Sequence, residues 1–469
     1  MDPPNPNQRI KLNVGGKLFE TTLSTLQSGG PDSLLSLLSN RPVQPDPIFI
    51  DRDPDIFSSL LSLLRSNRLP NSGPPKFTKQ ELIEEATYYG IETRVKSTLS
   101  PPPLTGLDCS ILTKVNLPSD PIVSDFDPVD SDGSVWVAHG GQISVYDWDL
   151  SYSGTVRTHM DYVSCLKRVG SDVGVIGSGF ESGLHFYNVA NSSRVGVVEW
   201  VDESDPRVYK ARVYAVCDSE ESVFAAFDCF GRENCVLMVD KEMMRVSLEI
   251  GRQSGGSAKT GVVRKLRYVG ERGVLVGVGV SCGAFGYSGY VRLWDPRSRD
   301  VVWEMNEPGS GRSSRYGDSF ADVDVDLEED LLFKLCSKSG DLAMADLRKL
   351  SDDPWIYLAE KNPRLSVVGG GSVAGNMVVH CYRKQVFLGR GGELEVWSKV
   401  VEKDDDFHEE RKLSEGLYRR NFMDKEEDSR RGAIKKIEGG GDRLFVTRED
   451  VEGFEVWESS NFSSVVSIV

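Results

Sequence analysis

Residues 10–19 read Ile-Lys-Leu-Asn-Val-Gly-Gly-Lys-Leu-Phe, and residues 48–57 read Ile-Phe-Ile-Asp-Arg-Asp-Pro-Asp-Ile-Phe. Apolar and polar residues alternate in the first stretch, which is the period of a half-buried strand, and its Gly-Gly pair supplies a turn. The first stretch therefore predicts a β-hairpin. The second predicts a short strand followed by a helix, with Asp53 as the N-cap and Pro54 as the first helical residue.

The residues around these two stretches complete a small α/β domain. Residues 31–38 predict a short helix, and the apolar face of residues 56–64 predicts a longer one. Thr78-Lys-Gln-Glu81 is a capping box for a further helix that Gly90 ends. We expect this compact domain to end near Ile91.

Three motifs carry a family resemblance: Leu12-Asn-Val-Gly-Gly16, Phe49-Ile-Asp-Arg-Asp-Pro54 and the run from Leu61 to Arg65. Together they resemble the BTB/POZ domain in its potassium-channel tetramerisation form. The resemblance implies that this domain self-assembles through polar, charged faces and catalyses no reaction.

The candidate assembly interface that follows from the resemblance comprises Phe49, Asp51, Arg52 and Asp53. A simpler reading is that Asp53 only caps its helix and that Arg52 balances its charge. Both readings can hold at once.

Channel members of this family continue into membrane-spanning helices, and many keep a His and Cys zinc motif near the end of the domain. This chain has no run of eighteen apolar residues, and its first cysteine is Cys109. It looks instead like the soluble members, several of which are substrate adaptors for cullin-3 ubiquitin ligases.

The charge of the chain is concentrated beyond this domain. The formal net charge is −16, yet residues 1–91 hold nine Lys and Arg against ten Asp and Glu. A surface so acidic repels nucleic-acid phosphates and anionic lipids, and no basic patch is free of interleaved acids. We therefore expect neither a nucleic-acid nor a membrane partner.

The eight cysteines are scattered, with no Cys-x-x-Cys pair and no short spacing to histidine. This pattern favours buried free thiols over a zinc site or a disulfide framework, so we expect no metal and no cofactor. Residues 1–7 lack the basic and apolar pattern of a signal peptide. We expect a soluble protein of the cytoplasm, the nucleus or both.

The proline run Ser100-Pro-Pro-Pro103 separates this domain from the rest of the chain, because proline cannot pair in a sheet and stiffens a connection. We assign residues 9–98 to the BTB/POZ domain and residues 99–117 to a linker with a possible extra strand. Residues 118–469 form the second domain.

The second domain repeats. Seven alternating apolar segments end at residues spaced 41, 52, 55, 51, 52 and 60 apart, namely Asp147, Asn188, Asp240, Asp295, Asp346, Ser398 and Glu458. This period is typical of four-stranded propeller blades, and the unit at residues 163–198 contains four β-type runs. We predict an all-β, seven-bladed propeller, with six or eight blades as alternatives.

Val291-Arg-Leu-Trp-Asp295 and Thr158-His-Met-Asp-Tyr-Val163 make these units similar to WD repeats, although most units lack the histidine. The whole arrangement is similar to plant BTB/POZ-propeller proteins. Residues 464–469 can supply the outer strand of the last unit, so the ring need not borrow an N-terminal strand. Residues 109–117 are the alternative.

The charged stretch 402–431 lies in the sixth unit. Its low apolar content predicts a solvated loop, with a partner-binding arm as the alternative.

Several motifs resemble catalytic or ligand-binding motifs but lack a part that the chemistry requires. Gly279-Val-Ser-Cys-Gly283 matches a nucleophile elbow but lacks the helix that must follow, and the glycine-rich residues 251–260 lack the lysine and helix of a phosphate loop. The five histidines are too far apart for a metal site. Asp322, Asp324 and Asp326 share one strand face, which we expect to be solvent, while Val323 and Val325 face the core.

These observations favour a non-catalytic adaptor. The BTB domain would self-associate and dock cullin-3, while propeller loops hold a protein substrate. The alternative is an oligomeric scaffold or transcription-related regulator that binds no cullin. An enzyme housed in the propeller has no residue constellation to support it.

Overall fold

The computed structural model describes residues 8–39, 46–66, 69, 77–106, 109–254, 261–283, 286–307, 320–337, 339–358, 377–399, 418–424 and 432–459. The chain divides into two compact units, Met1–Ser100 and Pro101–Val469.

The described part of the first unit is a three-stranded sheet with five helices. The strands are β1 (Arg9–Val14), β2 (Lys17–Thr22) and β3 (Ile48–Ile50), and the helices are α1 (Leu23–Gln27), α2 (Leu34–Ser39), α3 (Pro54–Ser66), α4 (Lys79–Tyr89) and α5 (Glu92–Leu99). The central strand β1 pairs antiparallel with β2 and parallel with β3. Among the described residues, no helix has the length and apolar character to span a membrane.

The predicted start and end of helix α4 are confirmed. Thr78 and Glu81 form a reciprocal capping box at the start of α4, and Gly90 ends that helix with a left-handed φ of 70°. The buried face of α3 contributes Phe57, whose ring lies 5.0 Å from that of Phe19 and 5.2 Å from that of Tyr89. Helices α1 and α5 were not predicted, because they are short and have no strong apolar period.

The described part of the second unit consists of strands. In chain order they are β4 (Cys109–Val115), β5 (Asp125–Pro128), β6 (Val135–His139), β7 (Gln142–Tyr146), β8 (Tyr152–Arg157), β9 (Cys165–Arg168), β10 (Val173–Gly177), β11 (Leu184–Asn188), β12 (Ser193–Val198), β13 (Arg212–Asp218), β14 (Ser222–Cys229), β15 (Glu233–Asp240), β16 (Val246–Ser254), β17 (Lys265–Val269), β18 (Val274–Gly283), β19 (Gly286–Trp294), β20 (Val301–Glu307), β21 (Phe320–Asp326), β22 (Leu331–Cys336), β23 (Leu342–Asp346), β24 (Ile356–Tyr357), β25 (Met377–Tyr382), β26 (Gln385–Arg390), β27 (Glu393–Lys399), β28 (Tyr418–Asp424), β29 (Ile434–Gly440), β30 (Arg443–Arg448) and β31 (Phe454–Ser459).

These strands form four-stranded antiparallel sheets, each built from consecutive strands except the last. The first strand of a sheet lies next to the first strand of a neighbouring sheet, as β5 does to β9 and β21 does to β25. Strand β29 returns to β5, which closes the ring of a propeller. Seven such sheets lie in the described residues, and the blade number of the whole chain stays a prediction.

The sequence repeat coincides with one strand of each sheet. The seven predicted segment ends lie at or next to the last residues of β7, β11, β15, β19, β23, β27 and β31, which are the third strands of their sheets. Apolar residues of adjacent sheets pack together in the space between the two sheets, as Val213 and Phe227 do with Phe186. The repeated apolar segments of the sequence are therefore the third strands of the sheets, which are buried on both faces.

The strand that closes the ring is not the one predicted first. The outer strand of the last sheet is β4, which pairs with β31 from Val115 opposite Phe454 to Cys109 opposite Ser459. Residues 464–469, the predicted outer strand, lie outside the described residues, and β4 occupies that position. The alternative, that residues 109–117 add to the ring, matches the pairing.

The charged stretch 402–431 is only in part as predicted. Tyr418–Asp424 forms strand β28 and pairs with β27, so this part of the stretch is the fourth strand of its sheet and not a loop. Arg420 on this strand contacts Glu395 at 2.6 Å, a carboxylate that is fully buried. Residues 402–417 and 425–431 lie outside the described residues.

The cysteines whose side chains are described are free thiols, and all but the half-buried Cys381 are buried. Burial raises the pKa of Cys217 to about 12. They pack as small apolar residues, as the sequence predicted.

Candidate functional site

The first unit presents an exposed row across its sheet. Asn13 lies opposite Leu18 on β2 and opposite Phe49 on β3, so these three residues share a face. Phe49 is 61% exposed and Leu18 66%. Large exposed apolar side chains on a small sheet face are typical of an interaction surface.

Asp53 caps helix α3, as the simpler reading of the sequence has it. Its Oδ1 accepts hydrogen bonds from the backbone N–H groups of Asp55 at 2.7 Å and Ile56 at 3.0 Å. The preceding Asp51 is exposed. The cap fixes the direction in which α3 leaves the β3 edge.

Arg52 turns toward helix α4. Its Nη1 lies 3.4 Å from Glu85 Oε2, and its guanidinium lies 3.8 Å from the ring centre of Tyr88. Burial raises the pKa of Glu85, and the charge of Arg52 opposes this shift. Arg52 therefore balances a carboxylate of α4, while Phe49 and Asp51 remain exposed on their side of the unit.

The Gly-Gly turn holds this segment in place. Gly15 has a φ of 51°, and a Cβ added there would lie 2.5 Å from the carbonyl oxygen of Arg52. The Gly15 N–H also donates to the carbonyl of Ile50 at 2.9 Å. Only glycine allows this approach, which places residues 49–53 against the hairpin.

A cluster of charged side chains lies along the innermost strands of the propeller in the second unit. The expectation that Asp322, Asp324 and Asp326 face solvent is wrong: Asp324 is 1% and Asp326 3% exposed. Val323 and Val325 do face the core, as predicted. Lys265 and Arg267 of the preceding blade pair with Asp322 and Asp324, whereas Asp326 accepts the backbone N–H groups of Glu328 and Glu329.

Arg267 on β17 is the centre of this cluster. Its Nε donates to Asp324 Oδ1 at 2.9 Å, and its Nη2 donates to Glu438 Oε1 on β29 at 2.9 Å. His380 Nδ1 lies 3.2 Å from Asp324 Oδ2 and 3.5 Å from Glu438 Oε2. The guanidinium thus joins three blades, two of which are not neighbours in sequence.

Burial alone would raise the pKa of Asp324, but the charges of Arg267 and Lys265 outweigh it and hold that pKa well below its usual range. The same balance of burial against Arg267 lowers the pKa of Glu438. Both carboxylates are therefore ionised and paired, which leaves neither of them as a ready general acid.

The aspartates also bond to the backbone of the next blade. Asp125 and Asp127 on β5 accept from the N–H groups of Leu166 and Arg168 on β9, both at 2.7 Å. Asp322 and Asp324 on β21 accept in the same way from Val379 and Cys381 on β25, at 2.9 and 3.0 Å. The Asp-x-Asp pairs therefore join adjacent blades, a role that their alternation could have signalled.

A cavity of about 610 Å³ opens beside this cluster. Its lining mixes acids and cations, among them Asp127, Lys167, Arg267 and Glu438. Lys167 Nζ lies 2.8 Å from Asp127, so this pair is already made within the chain. The cavity is polar, and its charges mainly hold the inner strands together.

The motifs that suggested chemistry lie elsewhere. Ser281 of the elbow-like motif lies near the end of β18, where the chain turns into strand β19 and not into a helix. Residues 255–260 and His408 lie outside the described residues. His139 is buried and bonds to Ser144 at 2.8 Å, whereas His380 belongs to the channel cluster, which the sequence did not indicate.

Comparison with known proteins agrees with this architecture. Residues 10–98 match the family described as BTB/POZ domain, and residues 128–362 match the family described as At2g24240-like, C-terminal beta propeller. The chain belongs to the BTB/POZ proteins that carry this C-terminal propeller.

Some relatives of this BTB/POZ-propeller protein match the full chain, and others match its BTB domain alone. The BTB/POZ domain-containing protein At5g41330 of Arabidopsis thaliana is 31% identical over 468 residues, which is 97% of each chain. SH3KBP1-binding protein 1 of Bos taurus is 41% identical over 96 residues, 19% of this chain and 13% of the relative. A Cps50 (Swd1) propeller domain from Myceliophteria thermophila superposes with a TM-score of 0.47 at 11% identity, covering 75% of this chain and 99% of that chain.

Proposed function

We propose that this protein is an adaptor for ubiquitination. Its BTB unit self-associates and recruits a cullin-3 ligase, and its propeller holds the substrate. The observation that supports the proposal is the pairing of a BTB/POZ domain with a β-propeller on one chain. The two modules supply assembly and recognition, and the recruited enzymes supply the chemistry.

Such an adaptor acts by proximity. A substrate held on the propeller has a high effective concentration near the recruited ubiquitin-transfer enzymes, so no catalytic residue is needed on this chain. Self-association adds to this effect, since several propellers in one assembly can engage a multivalent partner together.

Cullin recruitment is tested with the full chain. We expect the N-terminal region of cullin-3 to give a saturable binding isotherm in a calorimetric titration into the full chain. We expect no heat of binding with a chain that begins at Pro101 and lacks the BTB unit. Oligomeric full chain that binds no cullin would favour the scaffold or transcription-related regulator instead.

Replacing the exposed phenylalanine of the BTB sheet is expected to weaken self-association. Burying one Phe side chain contributes about 1.5–3 kcal/mol, so Phe49→Asp should weaken self-association by about tenfold or more. Sedimentation velocity of the full chain over a concentration series measures this shift.

The matched control for this variant is Phe180→Asp, the same change at a side chain of the propeller unit that is 71% exposed. It should leave the self-association of the chain unchanged. Equal oligomer populations in wild type and Phe49→Asp would remove Phe49 from the interface.

A further inference from the structure

One end of the propeller carries exposed aromatic side chains on neighbouring blades. Phe180 lies in the loop between β10 and β11, and Phe230 lies in the loop between β14 and β15. They are 71% and 47% exposed. Ser182 of the first loop forms a β-bridge with Arg212 at the start of β13, and the guanidinium of Arg212 lies over the Phe230 ring of the second loop.

Two arginines stack on aromatic rings of this surface. The Arg212 guanidinium lies 4.7 Å from the ring centre of Phe230, and that of Arg264 lies 4.4 Å from the ring centre of Tyr214. A methyl group on Gly179 would lie 3.5 Å from the Tyr214 ring, which places the Phe180 loop against it.

Tyr162 completes the surface, since its ring lies 5.8 Å from that of Phe180. We call the set Tyr162, Phe180, Arg212, Tyr214, Phe230 and Arg264 the aromatic-arginine surface. Tyr209 packs next to this surface, with its ring 5.6 Å from that of Phe230. Aromatic residues and arginine are the types most enriched at the centres of protein interfaces.

Within the residues that the structure describes, no carboxylate balances the charge of the two arginines. In the described part of the protein, Arg212 and Arg264 lie over the rings of Phe230 and Tyr214 and form no ion pair with a carboxylate. Asp228 lies opposite Arg212 on β14 and accepts the backbone N–H of Gly231 at 2.8 Å. Two planar, unpaired guanidinium groups are suited to carboxylates, which they can bind in a bidentate manner.

We propose that the aromatic-arginine surface binds an acidic peptide segment of a partner protein. Carboxylates of the segment bind Arg212 and Arg264, and a neighbouring apolar side chain packs on Phe180. This inference deepens the proposed function by naming the chemical class of the substrate segment, and it rests on the propeller being the part that holds the substrate.

The distribution of charge sets the orientation of the segment. Asp161 and Glu181 lie at the Tyr162 end, where Glu181 accepts the backbone N–H of Asp161 at 2.8 Å. Acidic residues of a ligand are repelled there and attracted at the arginine end. A nucleic-acid strand carries a phosphate at every nucleotide, so it would also bring negative charge against Asp161 and Glu181, whereas a peptide can place its carboxylates at the arginine end alone.

The test begins with selection of a random peptide display library on the immobilised full chain. We expect enrichment of sequences that combine Asp and Glu with one aromatic or aliphatic residue. A synthetic peptide from the selection is then titrated by fluorescence polarisation, beside the same peptide with its apolar residue replaced by alanine.

The variants locate the binding site. We expect Arg264→Glu to lower the affinity for the peptide by about tenfold and Phe180→Ala to lower it by about fivefold. Truncation of a central interface residue costs more than ~1 kcal/mol of binding free energy. Arg212→Gln, which removes the charge from a half-buried side chain without reversing it, should also weaken binding. Unchanged melting temperatures show that the variants are folded.

Matched controls come from the turn between β15 and β16. Arg245→Glu and Met243→Ala change an exposed arginine and an apolar side chain that is 62% exposed, and both should leave the affinity unchanged. Selection of basic peptides, no enrichment at all, or equal loss in the controls would overturn the proposal. So would tighter binding of a single-stranded RNA oligonucleotide. Because cullin is absent from these assays, their outcome is independent of ligase recruitment.

Discussion

A propeller unit that begins at residue 118 is expected to lose its cooperative folding, whereas one that begins at Pro101 is expected to keep it. The difference is strand β4, which is the outer strand of the last sheet and pairs with β31. Without β4, the last sheet is left with three strands and an open edge.

The size of the effect follows from the bonds lost. Six residue pairs connect β4 with β31, Cys109 is buried, and the preceding Leu104 packs in the same core cluster as Trp457. At about 1 kcal/mol for each backbone hydrogen bond, with apolar burial added, the loss is roughly 5 kcal/mol or more. That is comparable to the whole stability of many domains.

Urea unfolding followed by far-ultraviolet circular dichroism measures the difference. The chain from Pro101 should show a steep, single transition, and the chain from residue 118 should aggregate or unfold at far lower urea. Similar midpoints for the two chains would mean that the ring does not depend on β4.

Removing the guanidinium at the centre of the channel is the second change with a large expected effect. Arg267→Met leaves Asp324, which is 1% exposed, and Glu438 without their shared cation. Breaking a buried ion pair by removing one partner costs about 3 kcal/mol, because the remaining charge stays buried. Lys265, 3.6 Å from Asp324, compensates only in part.

The readout is the free energy of unfolding of the full chain, from the propeller transition in urea. Arg297→Met is the control: Arg297 also pairs with an aspartate, Asp295 at 2.9 Å, but its side chain is 78% exposed. Exposed pairs contribute little, so this control should unfold like the wild type. Arg267→Met at wild-type stability would show that the cluster is not needed to hold the blades.

The elements that sequence predicted well are those specified by local chemistry. The turn at Gly15 and Gly16, the capping box at Thr78 and the αL end at Gly90 each depend on a few adjacent residues. The blades were found because their third strands are buried on both faces and recur at a regular spacing.

The features that sequence missed depend on distant partners. Asp324 lies on the same strand face as two other acids, and only the folded ring brings Arg267 and His380 to it. The pairing of β4 with β31 joins strands that are far apart in the chain, so the sequence offered it only as the alternative to residues 464–469. The aromatic-arginine surface likewise combines loops of blades that are separate in the sequence.

The joining of β4 to β31 also sets an order of events during synthesis. Strand β4 leaves the ribosome directly after the BTB unit, but its partner is among the last described residues of the chain. The BTB unit can therefore fold and meet other copies while the propeller is still an open row of sheets. A messenger cut short before β31 would yield chains able to join the assembly through their BTB units but unable to close a propeller.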